Sequence, residues 1–172
     1  MQQKPLEFDY QSTTPCLNSV VDAMQPYWNQ HWGNPSNRQN RSGILASAAI
    51  SIARDNLGKS LGINSERLIF TSGATEANNL ALIGHARAHA LERGKKGHLI
   101  TMTTEHHAVL DPIKQLQKEG FSITAVKPRS DGTLCLGDLN HAFRDDTFMV
   151  SIMLANNEIG VIQPIKEISK IC

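Results

Sequence analysis

The sequence contains only three cysteines, Cys16, Cys135 and Cys172, set far apart and with no C-x-x-C pair. That excludes a disulfide framework and offers no zinc-ligand spacing. A long apolar run is also missing. Met1 to Asp9 carry Lys4, Glu7 and Asp9 where a signal peptide would be apolar, and no later stretch approaches the roughly 18 apolar residues of a membrane span. A soluble, cytoplasmic protein of a reducing compartment, with no membrane partner, is therefore expected. Charge of one sign is lacking too: seventeen Lys and Arg stand against sixteen Asp and Glu, for a net charge of +1. With no block of either sign, there is no electrostatic footprint for a nucleic acid. Internal repeats and low-complexity tracts are absent. So are G-x-x-x-x-G-K-[ST] and G-x-G-x-x-G, which removes a nucleotide P-loop and a dinucleotide fingerprint from consideration.

What is present is 172 residues, 40% hydrophobic, enough for one ordinary domain with a core. Short β-branched runs alternate with helical patterns, the mark of βαβ units, so the expected class is α/β with a mainly parallel sheet and flanking helices. Strands are predicted at 68–71, 98–102, 121–126 and 148–154, and helices at 43–61, 75–93, 108–119 and 136–143. Gly94 and Gly120 serve as helix stops. Ahead of these come an extended start through Pro15, a helix at 17–27 and a polar loop at 33–41. Pro164 with Ile165, Ile168 and Ile171 opens an amphipathic helix, and the sequence stops at Cys172 without a cap, so the sheet reads as interrupted.

Three segments carry chemistry. Phe70-Thr71-Ser72-Gly73-Ala74-Thr75-Glu76 runs from a predicted strand through small residues into a helix. The first amides of such a helix lack internal partners and suit a phosphate; the same spacing equally suits a plain cap by Ser72 or Thr75. Thr103-Thr104-Glu105-His106-His107 follows a strand, at the edge where open α/β sheets bind ligands. Adjacent histidines rarely converge on one metal ion, and no third ligand is evident, which leaves a solvent-facing or capping pair, or an imidazole used for stacking or proton transfer. Asn156-Asn157-Glu158-Ile159-Gly160 offers two amides to a ligand oxygen, or forms a simple turn.

In combination these segments resemble the cysteine desulfurases, the NifS/IscS type of the class V aminotransferases, over essentially the whole chain. The matching text includes Asp9-Tyr10, Ser12-Thr13-Thr14-Pro15, Gly33-Asn34-Pro35-Ser36, the Phe70 to Glu76 segment, Thr104-Glu105-His106, Ala108-Val109-Leu110, and Val150-Ser151-Ile152-Met153 leading to Asn156-Asn157-Glu158-Ile159-Gly160. The resemblance implies the large domain of a fold-type-I transferase that binds pyridoxal 5'-phosphate, usually as a homodimer. It implies that Ala74 and Thr75 hold the cofactor phosphate, that His106 stacks on the pyridine ring and is available for acid–base work, and that Asn157 meets the ring hydroxyl oxygen. The family reaction converts L-cysteine to L-alanine and passes the sulfur, as a persulfide, to acceptor or scaffold proteins for iron–sulfur cluster assembly.

The departures are equally specific. The family's cofactor-linking lysine lies in a Ser-x-His-Lys context, and no His-Lys pair occurs here. The persulfide-bearing loop is not matched either, so Cys16, Cys135 and Cys172 receive no catalytic role. Asn40 stands where many relatives have histidine. The expected organisation is a segment at 1–15 that joins the small domain, followed at 16–172 by the N-terminal part of the large domain. This points to a truncated or split family member, or an excerpt of one, and the chain alone is expected to be inactive. The alternatives are a selenocysteine lyase or other class V enzyme, and a non-catalytic domain that binds a phosphorylated ligand or is completed by a partner.

Overall fold

The structure, a computed structural model, describes residues 6–172; the opening residues of the expected 1–15 segment, and of the stretch read for a signal peptide, lie outside them. The chain divides into two compact units, Met1–Phe70 and Thr71–Cys172.

The first unit is helical. Helices α1 (Asn18–Met24) and α2 (Pro26–Asn29) replace the single predicted helix at 17–27, Pro26 opening the second. Helix α3 (Arg41–Leu61) is capped by Asn40, whose Oδ1 accepts the Gly43 N–H at 2.7 Å, and it ends at Gly62 with φ 68°. Asn40, the departure from the family pattern, thus has a local role. The loop at 33–40 lies directly on the start of α3: a Cβ on Gly43 would sit 2.0 Å from the Asn37 carbonyl oxygen. The strand expected at 68–71 does not form. Leu68 is extended, but no described strand lies beside these residues; Arg54 instead bonds the Leu68 carbonyl and stacks 4.8 Å over the Phe70 ring.

The second unit is the α/β body. Helix α4 (Ala74–Asn79) passes through a π-helical turn at Leu80–Gly84 into α5 (His85–Arg93), which Gly94 ends at φ 68°. Strand β1 (His98–Met102) is central. It pairs in parallel with β2 (Ser122–Val126) on one side and with β3 (Thr147–Ser151) on the other, giving the order β2-β1-β3. Helices α6 (His107–Lys118), α7 (Leu136–Ala142) and α8 (Ile165–Ile171) complete the unit.

Because side chains alternate along a strand, β1 feeds two cores. Leu99 packs with Leu82, Ala86, Val109, Ile113, Leu116 and Phe121 from the α5 and α6 side. Ile100 and Met102 pack with Val126, Leu134, Leu139 and Ile168 on the α7 and α8 side. All five β1 residues are buried, as expected for a parallel strand covered on both faces. His98 is fully buried and bridges the sheet. Its Nδ1 meets Thr147 Oγ1 at 2.7 Å and its Nε2 meets Thr124 Oγ1 at 2.8 Å. Burial holds its pKa below the ordinary histidine value, with the Arg144 charge adding to the effect. No described helix is long and apolar enough to cross a membrane.

Candidate functional site

The carboxyl ends of β1 and β3 and the start of α4 carry the singled-out segments, from Thr71 onward, within the second unit. At α4 the N-cap residue is Gly73, and no side chain caps the helix; the first internal bond runs from the Ala77 N–H to the Gly73 carbonyl at 3.1 Å. The amides of Ala74, Thr75 and Glu76 therefore precede any intrahelical partner. Neither Ser72 nor Thr75 is the cap. Instead Glu76 Oε2 reaches back to accept the Ser72 N–H at 2.7 Å and the Ser72 hydroxyl at 2.6 Å, and these bonds hold the Glu76 pKa below its ordinary value. A Cβ on Gly73 would meet none of the described residues within 4 Å, so among them open space faces this helix start.

Thr75 shares a cleft of about 400 Å³ with Asn79, Ile83, His106, Asp111 and Gln115. His106 also lines a second cleft of about 360 Å³, with Thr104, Glu105, Asn156 and Asn157. The His106 Nδ1 caps α6 by accepting the Ala108 N–H at 3.0 Å. This fixes the ring, assigns the proton of the neutral form to Nε2, and leaves Nε2 without a hydrogen bond among the described residues. His107 borders both clefts as well, but its side chain is 81% exposed and its Nδ1 lies 3.9 Å from Asp111 Oδ1. The two imidazoles form no metal cluster with other described residues.

The turn after β3 resolves the two amides. Asn156 is buried and makes the turn, its Oδ1 accepting the N–H groups of Glu158 at 2.9 Å and Ile159 at 3.0 Å. Gly160, at φ 69°, closes the turn by donating to the Asn156 carbonyl. Asn157 is exposed on the cleft. The turn reading of this segment is thus met by Asn156. Of the four expected site residues, Thr75 and His106 share one cleft and His106 and Asn157 the other, while Ala74 stands exposed at the first position of α4.

Sequence reasoning gave no role to Glu105, which is only 6% exposed at the end of β1, where its Oε1 accepts the Met153 N–H at 2.7 Å. Burial raises its pKa, and the Met153 bond pulls the other way. Cys135 is half-buried beside Arg129, 3.4 Å from Nη2, and its pKa is lowered by the Asp138 amide and by that guanidinium.

The chain is 44% identical over 168 residues to a protein named cysteine desulfurase IscS from Rickettsia akari, covering 98% of this chain and 40% of that one. It is 45% identical over 171 residues to the namesake from Colwellia psychrerythraea, covering 98% and 41%. Among solved structures, SspA in complex with cysteine superposes with a TM-score of 0.87 at 35% identity, covering 94% of this chain and 46% of that one. A NifS-like protein gives 0.86 at 37% identity, covering 94% and 43%. The chain thus spans about two-fifths of the length of the curated relatives it matches. The profile of class-V aminotransferases matches residues 7–172, which with these likenesses makes the chain a member of the aminotransferase class-V family.

Proposed function

We propose that this chain is the N-terminal part of a pyridoxal-phosphate-dependent cysteine desulfurase and forms one wall of its cofactor site. The observation that carries the reading is the fixed His106 ring, which borders both the cleft with Thr75 and the cleft with Asn157. The class-V family is pyridoxal-phosphate-dependent, and the relatives named above are cysteine desulfurases. The residues present fit the group: an uncapped helix start facing open space suits a dianion, and an aromatic ring and an exposed amide suit a hydroxypyridine.

When bound, pyridoxal phosphate supplies an electron sink for bond cleavage in an amino-acid substrate. The Ala74 and Thr75 amides would bind the phosphate. The His106 ring would cover the pyridine face and, through Nε2, hold or move a proton. Asn157 would donate to the ring oxygen. L-cysteine is the substrate in this reading, with sulfur passed on to an acceptor protein, a homodimer as the intact assembly, residues 1–15 joining a small domain, and a cytoplasmic location.

The test is a titration of the chain with pyridoxal phosphate, followed by cofactor absorbance, for the parent, His106→Ala and His107→Ala. Saturable binding is expected. It should weaken about fivefold in His106→Ala, the equivalent of ~1 kcal/mol of ring stacking, and much less in His107→Ala. No saturable binding in the parent, or equal losses in the two variants, would refute the assignment.

A further inference from the structure

The parallel ladder between β1 and β3 stops at Thr101↔Ser151, so beyond that pair the sheet no longer ties β1 to β3. Both ligand-facing loops lie beyond it. What joins them is a pair of bonds to which each loop contributes one side chain: Glu105 Oε1 accepts the Met153 N–H at 2.7 Å, and Asn156 Nδ2 donates to the Thr104 carbonyl at 2.9 Å. Each bond comes from the immediate chain neighbour of a cleft residue. Glu105 precedes His106, and Asn156 precedes Asn157. Both bridging side chains are buried and the two residues they support are exposed on the cleft.

Asn156 is already committed to its own turn through Oδ1, so its position follows from local structure. Glu105 has no such local reason. A carboxyl taken out of water carries a desolvation cost that a methyl group would avoid, and the Met153 N–H, just past the end of β3, would otherwise lack a partner. We propose that Glu105 is a positioning residue, whose buried carboxyl locks the His106 loop to the Asn157 loop so that the imidazole and the amide face a ligand in fixed register. It borders the cleft itself but acts through the neighbours it positions, and the inference rests on the cofactor reading above.

The test compares Glu105→Gln, which keeps an acceptor oxygen, with Glu105→Ala, which removes it; Glu105→Met, which fills the space without an acceptor, serves if the alanine variant does not fold. Amide hydrogen exchange at Met153 and across 154–160 should accelerate about tenfold or more in the variants without an acceptor and stay within about threefold of the parent in Glu105→Gln. Pyridoxal phosphate affinity should fall about tenfold in the same variants, and the induced circular dichroism of the bound cofactor should change in them. Neither should change in a Phe121→Leu control, whose destabilisation lies in the other core at the amino-terminal end of the sheet. Unchanged exchange at Met153 without the acceptor, or a Glu105→Gln variant that behaves like Glu105→Ala, would overturn the proposal. Failure of the parent to bind pyridoxal phosphate would sink the cofactor reading, while the exchange comparison would still decide whether Glu105 locks the loops.

Discussion

Replacing His98 by leucine should destabilise the chain at neutral pH and cost progressively less as the solution is acidified. His98 spans the sheet, its two nitrogens bonded to Thr124 and Thr147 on the flanking strands. Leucine fills comparable space, so the loss is chiefly two hydrogen bonds of about 0.5–1.5 kcal/mol each, together about 1–3 kcal/mol. Thr147 keeps the Arg144 N–H at 2.8 Å, whereas Thr124 loses its ring partner. For a chain of this size each kcal/mol corresponds to roughly 2–4 °C in Tm. The pH dependence follows from the depressed pKa of the buried ring. Folded His98 refuses the proton that the unfolded chain accepts near the ordinary value of about 6.5. Its contribution is therefore present above that value and is lost as pH falls from there toward the lower, folded value. Leucine has nothing to lose in that window, so the Tm gap between parent and variant should shrink from about pH 7.5 to about pH 5.5. Thermal melts followed by circular dichroism give the comparison directly. A gap that stays constant, or widens toward acid, would show that His98 is not held neutral by burial.

Glu119 is held down to about 2 by the Arg87 guanidinium first and the Gln115 amide second, so its contribution is present above the ordinary 4.5 and is lost as pH falls through about 2. Arg87→Leu should return the Glu119 carboxyl toward its ordinary titration in an NMR experiment; a midpoint still near 2 would disprove the attribution. Gly43→Ala pits helix propensity against space. Propensity favours alanine by about 1 kcal/mol, but the new Cβ would sit 2.0 Å from the Asn37 oxygen and 2.7 Å from that of Asn34, both backbone atoms, so a net loss of about 1–3 kcal/mol is expected in a denaturant melt and a stabilised variant would contradict the packing. Among the described residues no lysine lines either cleft that His106 borders, so borohydride reduction in the presence of pyridoxal phosphate should label no single lysine stoichiometrically; one fully labelled site found by peptide mapping would refute this.

The α/β class, the central strand at 98–102 and the helices stopped by Gly94 and Gly120 were legible because each rests on local pattern: apolar period, glycine at a left-handed position, and chain length between breakers. The motif T-S-G-A-T-E and its companions carried the family for the same reason, since they are contiguous text. The strand at 68–71 failed because an apolar β-branched run becomes a strand only when another strand lies beside it, and sequence pattern does not supply that neighbour. Nor could spacing divide labour within a pair. Which of Asn156 and Asn157 builds the turn, which of His106 and His107 is fixed by the α6 cap, and that Glu76 rather than Ser72 or Thr75 serves the start of α4, are decided by where buried donors and acceptors find partners. Glu105 is the clearest case. Its neighbours in sequence predict nothing about it, and its partner lies 48 residues away, brought within 2.7 Å only because β1 and β3 run side by side and end together.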